Sequence, residues 1–265
     1  MTRGGWPGSM MHRDEKVVDA WETIFSTDSM TLRRFRMNST VELEDLSSGQ
    51  DEVLLVVMKG RGKVGLKSSK DLVELREKDI FYIPKDTGFF FFLAKGSDSN
   101  ELIVASAPAT RRHEPFLRRF AETTPIESGT APYRRRIYNM VREADKVDRF
   151  LGGFVEGDPG NWTSFPPHRH DDKPEAYVYY GMGAKFGVQM VITDEEDASY
   201  LVREGDAVFF EKGYHPNVAA PGTGMNFLWV ISAPPDRRNL SVEFHPAFEG
   251  MQSGATHLKT RAGST

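Results

Sequence analysis

The sequence predicts an all-β protein built from two similar halves. Short apolar runs rich in Val, Ile, Phe and Tyr, separated by Gly, Asp and Pro, dominate residues 30–108 and 149–246. Such runs are typical of strands. Helical periodicity is weak, and the best helix candidates are the short segments 14–25 and 114–121. With 265 residues, of which 39% are hydrophobic and 27% charged, the chain is long enough for each half to bury a core.

The two halves read as copies of one unit. Three segments of the first half match, in the same order, three segments of the second: 76–82 with 203–209, 106–108 with 232–234, and 52–57 with 175–180. The offsets between the copies are 127, 126 and 123 residues, so the order is kept and the loop lengths differ. Self-similarity of this kind indicates a repeated structural unit. The alignment places Glu52 opposite Glu175.

The predicted domain boundaries follow this repeat. The segment 124–149 joins the halves and carries Pro and Gly residues that are typical of loops. The last residues are rich in Gly, Ser and Thr, which favours a flexible end. We therefore predict a lead at 1–29, a first β domain at 30–123, a second at 124–249 and a flexible tail at 250–265.

Composition excludes several kinds of site. The chain has no cysteine, so disulfides, zinc ribbons and thiol catalysis are excluded. Its net charge of −4 gives no general attraction to nucleic acid or to anionic membranes. The basic run 134–136 has no aromatic stacking platform beside it, and we interpret it as a solvated or interface stretch. No apolar run approaches the length of a membrane span, and no secretory signal is present, so we expect a cytoplasmic protein.

The most informative stretch is 167–175, which contains an H-x-H-x4-E cluster formed by His168, His170 and Glu175. In an extended strand alternate side chains share one face, so the two histidines point the same way. His215, in a Gly-Tyr-His-Pro turn, follows forty residues after Glu175. Imidazole and carboxylate suit Zn, Mn, Fe, Ni or Cu. We predict that these four residues bind one divalent metal ion, with Zn and Mn as the leading candidates.

This pattern resembles the cupin superfamily, whose two motifs place a His-x-His…Glu group and a later histidine on neighbouring strands. A narrower resemblance is to the 5-deoxy-glucuronate isomerase family of myo-inositol catabolism. It is carried by the segments 160–171, 186–189, 213–216 and 219–222. The resemblance extends over about 30–248. It implies a bicupin, that is, two tandem double-stranded β-helix (jelly-roll) barrels, with the metal site in the second barrel alone.

The resemblance also implies an aldose–ketose isomerase that converts 5-deoxy-glucuronate to 5-dehydro-2-deoxygluconate. In that reaction the metal polarises the carbonyl and hydroxyl oxygens, and a base moves a proton between the two carbons. Glu175 is a candidate for the base as well as a metal ligand, and Gln189, Tyr179 and Lys185 are candidates for the substrate pocket. The cation that binds the substrate carboxylate stays open among Lys185, Arg135 and Arg237.

Three other functions stay open beside this one. The related uronate ketol-isomerase of pectin breakdown shares the architecture and the ligand set. A cupin dioxygenase uses the same kind of ligands with iron or copper and consumes oxygen. A non-catalytic bicupin would bind a sugar and leave it chemically unchanged. In every case the expected partner is a small molecule rather than a nucleic acid or a membrane, and a homo-oligomer stays open.

Overall fold

The computed structural model of the chain describes residues 5–6, 8–37, 42–93, 100–248, 250–251 and 259–260. In chain order the strands begin with β1 (Gly5–Trp6), β2 (Ser9–His12), β3 (Ala20–Ser26), β4 (Thr31–Met37), β5 (Glu42–Ser47), β6 (Asp51–Lys59), β7 (Arg61–Leu66), β8 (Leu72–Arg76), β9 (Ile80–Ile83), β10 (Gly88–Leu93), β11 (Asn100–Pro108) and β12 (Phe116–Arg118). They continue with β13 (Ile126–Ser128), β14 (Arg135–Val141), β15 (Phe150–Gly157), β16 (Trp162–Thr163), β17 (His168–Arg169), β18 (Glu175–Tyr179), β19 (Phe186–Ile192), β20 (Asp197–Arg203), β21 (Ala207–Phe210), β22 (Asn217–Ala219), β23 (Phe227–Ser232), β24 (Ser241–Phe244) and β25 (Lys259–Thr260).

The all-β prediction is confirmed. The helices among the described residues are three single-turn 3₁₀ helices, Phe120–Glu122, Pro235–Arg237 and Pro246–Phe248. None of the helices in the described ranges has the length and apolar character that crossing a membrane requires.

The two helices expected from the sequence are wrong. Residues 20–26 form β3 and residues 116–118 form β12. The segment around β3 is rich in Trp, Thr, Ile and Phe, whose side chains favour strands, and pairing with β4 overrides the weak helical periodicity. Residues 120–122 do form a single 3₁₀ turn after β12.

The chain forms two compact units. The N-terminal unit comprises Glu15–Thr123 and Ala144–Phe150, and the C-terminal unit comprises Met1–Asp14, Thr124–Glu143 and Leu151–Thr265. The C-terminal unit therefore takes its first strands from the beginning of the chain. The domain boundaries predicted from the sequence stay a prediction.

The N-terminal unit consists of a six-stranded sheet, in the order β12-β9-β6-β11-β4-β3, and a four-stranded sheet, β5-β10-β7-β8. Alternate side chains of β6, Val53, Leu55 and Val57, are buried in the core together with Val64 and Phe91 from the smaller sheet. The period of two along β6 is what a strand with one face on a core requires.

The C-terminal unit has an eight-stranded sheet, in the order β1-β2-β21-β18-β23-β15-β14-β13, a four-stranded sheet, β16-β22-β19-β20, and a three-stranded sheet, β17-β24-β25. Tyr177 and Tyr179 of β18 face its core, where they meet Phe227 and Trp229 of β23 and Val202 of β20. The central strands β18 and β23 are buried along their whole length, so their side chains reach the interior without contact with bulk water.

The sequence repeat corresponds to a repeat in strand order. The order β12-β9-β6-β11-β4-β3 in one unit matches β2-β21-β18-β23-β15-β14 in the other, and β10-β7-β8 matches β22-β19-β20. Strand β2 thus has the place in its sheet that β12 has in the other. The closer description of each unit as a separate jelly-roll barrel stays a prediction.

The structure corrects the alignment of the two copies by one residue. Ile83 of β9 pairs with Val53, whereas the matching residue of β21, Phe210, pairs with Glu175. By this pairing, and because it shares the core-facing side of its strand as Glu175 does with Tyr177, Val53 is the counterpart of Glu175. Since neighbouring side chains of a strand point to opposite faces, Glu52 points away from the core that Val53 enters.

Glu52 has a structural role in the N-terminal unit. Its carboxylate accepts hydrogen bonds from the backbone N–H groups of Asp148 (2.9 Å), Arg149 (2.7 Å) and Phe150 (2.9 Å). The Tyr82 hydroxyl donates a fourth bond at 2.9 Å. Burial raises the pKa of Glu52, and the four hydrogen bonds offset only part of that effect. The carboxyl group thus holds the segment 144–150 against β6.

Candidate metal centre

Local strand and turn geometry brings the H-x-H-x4-E motif to the interior of the C-terminal unit. His168 lies in β17, opposite Phe244 of β24. A tight turn follows, closed by the Lys173 N–H, which donates to the His170 carbonyl at 2.8 Å. Glu175 then begins β18, in the middle of the large sheet between β21 and β23. The turn lets the second histidine and the carboxylate approach each other from consecutive elements.

His215 reaches the same place from the loop between β21 and β22. Gly213, two residues before it, has a φ of +97°, a conformation that glycine adopts without strain. A Cβ atom at this position would lie 3.0 Å from the Ile192 carbonyl oxygen. The Gly213 N–H donates to the Asp171 carboxylate at 2.9 Å. This bond ties the His215 loop to the turn that carries the first two histidines.

The four predicted ligands lie together and are all buried. Oε2 of Glu175 is 3.1 Å from Nε2 of His170 and 3.3 Å from Nε2 of His215. One ligand atom from each of these three residues lies within 4.8 Å of the others. The ring centroid of His168 is 5.0 Å from that of His215. The structure therefore brings together the residues that the sequence nominated, with His168 beside the tighter group of three.

Backbone carbonyls fix the orientation of all three imidazole rings. A carbonyl can only accept a hydrogen bond, so the nitrogen that faces it must carry the proton and the other nitrogen keeps its lone pair. This is the usual second contact of histidines that bind metals in proteins. The Nδ1–H groups donate to the carbonyls of Pro166 from His168 (3.0 Å), of Lys173 from His170 (2.8 Å) and of Gly213 from His215 (2.8 Å).

This arrangement fits a bound cation. With Nδ1 protonated, Nε2 of His170 and Nε2 of His215 present lone pairs to the anionic oxygen of Glu175, which disfavours the contact unless a positive charge lies between them. Nε2 of His215 is buried and has no hydrogen bond among the described residues. Imidazole nitrogens and one carboxylate oxygen are a donor set that Zn and Mn accept. The residues present therefore fit a divalent metal ion.

The electrostatics of the cluster agree with this charge assignment. Burial acts to raise the pKa of Glu175, but its contacts with His170 and His215 outweigh burial and lower that pKa to about 2. Burial, aided by the neighbouring His215, lowers the pKa of His168 well below its ordinary value. At neutral pH the carboxyl group is ionised and the His168 ring is neutral, the forms in which both bind metals.

A cavity adjoins the cluster. His168, His170 and Glu175 form one part of its wall, and Tyr177 lies next to Glu175 along the same face of β18. The apolar part of the wall comes mainly from β14, β23 and β24: Ile137, Phe227, Trp229, Ile231 and Val242. A ligand in this cavity would meet the candidate metal ligands in surroundings with little water.

Tyr177 is a cavity residue that the sequence analysis did not nominate. Its hydroxyl lies 3.1 Å from the Ser164 hydroxyl. Burial, together with the negative charge of Glu175, raises the pKa of Tyr177 well above its ordinary value, so the phenol stays protonated. The period of two from Glu175 along β18 was the signal that pointed to it.

Tyr179 and Gln189, which the sequence nominated for the pocket, lie beneath His215 instead of at the cavity wall. The Tyr179 hydroxyl donates to Oε1 of Gln189 at 2.8 Å, and Nδ2 of Asn217 donates to the same oxygen at 2.8 Å. The Gln189 amide nitrogen donates to the carbonyls of His215 (2.9 Å) and Pro216 (3.1 Å). Both side chains hold the loop that carries His215.

The three cationic residues proposed for the substrate carboxylate lie in different places. Lys185 is exposed, donates to the Gly222 carbonyl and is outside the cavity lining. Arg237 is also exposed and pairs with Asp172 at 3.5 Å. Arg135 is buried and lines the cavity.

The basic run 134–136 is therefore not a solvated stretch along its whole length, because the alternation of the strand turns its middle residue inward. Arg134 on one side pairs with Asp158 at 2.6 Å, and Arg136 on the other lies 3.6 Å from Glu156. Arg135 between them is buried.

Proteins of known structure share this fold. An IolB-like protein from Salmonella typhimurium LT2 superposes with a TM-score of 0.80 at 20% identity, over 91% of this chain and 98% of the other. A structure of Bacillus subtilis oxalate decarboxylase concerned with its Mn(II) centres gives a TM-score of 0.62 at 13% identity, over 85% and 73%. At these identities the likeness concerns the fold alone.

Sequence comparison gives closer relationships. The chain is 30% identical to the 5-deoxy-glucuronate isomerase of Geobacillus kaustophilus (strain HTA426), over 69% of this chain and 72% of the relative. It is 22% identical to the 4-deoxy-L-threo-5-hexosulose-uronate ketol-isomerase 2 of Enterococcus faecalis (strain ATCC 700802 / V583), over 68% and 66%. The model of the KduI/IolB family matches residues 8–251. The chain is a member of the KduI/IolB family.

Proposed function

We propose that this chain is a metal-dependent aldose–ketose isomerase of a sugar acid. The observation that carries the proposal is the convergence of three oriented imidazoles and one ionised carboxylate beside a cavity that two of the imidazoles and the carboxylate line. The names of its relatives supply the substrate class, since both groups of relatives are isomerases of uronates.

His168, His170, Glu175 and His215 are the proposed ligands of the metal ion, and Zn and Mn are the proposed metals. A bound divalent ion would polarise the substrate's carbonyl and neighbouring hydroxyl oxygens and so acidify the C–H bond between them.

The side chains of the cavity have separate tasks in this proposal. The apolar wall excludes water from the reacting carbons. The Tyr177 phenol, kept protonated by its buried position, donates a hydrogen bond to a substrate oxygen. Glu175 stays the candidate base for the proton that moves between the carbons, while Tyr179 and Gln189 position the His215 loop. Lys185 has no task in the cavity.

The preferred substrate is 5-deoxy-glucuronate, with 5-dehydro-2-deoxygluconate as the product, because the relatives with that name reach 30% identity, whereas those named ketol-isomerase reach 27%. The 4-deoxy-L-threo-5-hexosulose-uronate of the ketol-isomerases is the second candidate. We propose that the enzyme acts in the cytoplasm, as the inositol-catabolic role suggests.

Metal analysis and an NMR assay test this function. The purified protein should contain about one divalent ion per chain and convert 5-deoxy-glucuronate to its ketose without oxygen uptake. His215→Ala should remove both the metal and the turnover. His113→Ala, a histidine of the N-terminal unit outside the cluster, is the matched control and should keep both. A protein that holds the metal, consumes oxygen and isomerises neither uronate would refute the proposal.

A further inference from the structure

Two buried cations line the cavity next to the histidine cluster, and they differ in how their charge is satisfied. The Lys173 ammonium donates to the carbonyls of Asn239 at 2.9 Å and Ser241 at 2.6 Å, and to the Asn239 side-chain oxygen at 3.2 Å. An ammonium group has three N–H donors. Lys173 is therefore fully engaged within the protein.

Arg135 is 2% exposed and lacks such partners. Its guanidinium has five N–H donors, and the described residues give it a single hydrogen bond, from Nη1 to the Tyr133 carbonyl at 3.3 Å. Across the described ranges of the chain, no carboxylate forms an ion pair with it. Burial lowers the pKa of Arg135 to about 10, so the group is still charged at neutral pH.

A buried charge without a counter-ion is unfavourable, because desolvation is not offset by a partner. The acidic side chains of the neighbourhood have other places: Asp158 and Glu156 pair with the flanking arginines, and Glu175 belongs to the candidate metal centre. Tyr177, next to Glu175 on β18, lines the same cavity as Arg135. Among the residues that the structure describes, Arg135 has no anionic partner, and the carboxylate of a ligand in the cavity would supply one.

We propose that Arg135 binds the carboxylate of the sugar-acid substrate and so selects uronates over neutral aldoses. The proposal rests on the function proposed above and chooses Arg135 among the three cations that the sequence left open. The planar guanidinium matches a carboxylate with two parallel N–H···O bonds. The sugar would then be held at two ends, with its reacting carbons at the histidine cluster and its carboxylate at Arg135.

Binding of two probe sugars and turnover of 5-deoxy-glucuronate test this assignment. D-glucuronate is the acidic probe and D-glucose the neutral one, each followed by the thermal shift of the Mn²⁺-loaded protein, with KM for 5-deoxy-glucuronate measured by NMR. Arg135→Met should weaken glucuronate binding and raise KM by at least about 30-fold, the size expected for losing one partner of a buried charge pair. Arg135→Lys should recover part of the affinity, since it restores the charge without the fork.

The matched control is Arg134→Met, which removes the exposed neighbour and should leave glucuronate binding unchanged. In the ligand-free state Arg135→Met should melt no lower than the unsubstituted protein, because it removes an unpaired buried charge. A lower melting temperature together with an unchanged glucuronate shift would mean that Arg135 supports the fold, and would overturn the inference.

The outcomes also separate this inference from the proposed function. If the unsubstituted protein isomerises uronates and Arg135→Met has an unchanged KM, the inference fails and the function stands. If no uronate is isomerised but glucuronate binds with the expected dependence on Arg135, the function fails and the carboxylate site stands.

Discussion

Replacing Gln189 by leucine tests the idea that this residue supports His215 and does not act on the substrate. Gln189 is completely buried. Its amide takes part in five hydrogen bonds: with the carbonyls of Met190 (2.8 Å), His215 (2.9 Å) and Pro216 (3.1 Å), and with Tyr179 and Asn217 (2.8 Å each). Leucine has a similar volume and no polar atom, so the change isolates these bonds.

The expected loss of stability follows from the groups left without partners. In the Gln189→Leu variant the Tyr179 hydroxyl and the Asn217 amide lose their buried acceptor, and each unsatisfied buried donor costs about 1–3 kcal/mol. The carbonyl of His215 also loses a donor. We expect the free energy of unfolding to fall by about 3–5 kcal/mol. Because the His215 loop loosens, metal affinity should fall by about 10- to 100-fold, as for other second contacts of metal ligands.

Urea denaturation of the metal-free protein and calorimetric titration with Mn²⁺ measure these two effects. Gln50→Leu is the matched control, since the Gln50 side chain is exposed and, within the described residues, its hydrogen bonds go to the side chains of Asp86 and Lys85. It should leave the free energy of unfolding within about 0.5 kcal/mol of the unsubstituted value. If Gln189→Leu kept its stability and its metal affinity but lost turnover, the amide would act on the substrate and our reasoning would be wrong.

Three further substitutions test the structural roles described above. Gly213→Ala brings a Cβ against the Ile192 carbonyl and should lower the free energy of unfolding, measured by thermal unfolding, by about 1–3 kcal/mol. Gly49→Ala, also at positive φ but with open space around it, should lower it less. Equal losses of stability in the two variants would contradict the steric argument. Glu52→Ala leaves three buried backbone donors unpaired and should lower the free energy of unfolding in urea by about 3 kcal/mol or more, whereas a loss no larger than that of the exposed Glu77→Ala would argue against it. Lys173→Met removes a buried ammonium that donates to the part-buried carbonyls of Asn239 and Ser241 and should cost about 2–4 kcal/mol by the same assay; an unchanged midpoint would show that its bonds are not needed.

The ligand cluster could be predicted from the sequence because it depends on residue type and local geometry. The alternation of a strand places His168 and His170 on one face, and a short turn brings Glu175 back to them. The presence of histidines in one copy of the repeat then indicated which unit holds the site.

The register of the strands could not be predicted from the sequence in the same way. A shift of one residue hardly changes sequence similarity but turns a side chain to the other face, and this is how Glu52 came to be aligned with Glu175. Tyr177 and Tyr179 share one face of β18, but Tyr177 lines the cavity whereas Tyr179 contacts Gln189. This difference depends on strands that are distant in sequence.

Arg135 shows the same limit. Alternation predicts that the middle residue of an arginine triplet points away from its neighbours, but the direction of the interior depends on which strands pair with β14. The sequence therefore offered three cations for the substrate carboxylate, and tertiary structure distinguished a buried, unpaired one from two exposed ones.

The pairing of β2 with β21 has a consequence for how the protein is made. Ser9 of β2 lies opposite Phe210 of β21, so during synthesis β2 must wait for a partner strand encoded about two hundred residues later. At about 5–20 residues per second, that delay is about 10–40 s. During this time the N-terminal unit, which is nearly continuous in sequence, can form on its own. The nascent β2 segment stays without its partner strand for that interval, so a chaperone that holds it would favour correct assembly of the sheet that carries Glu175.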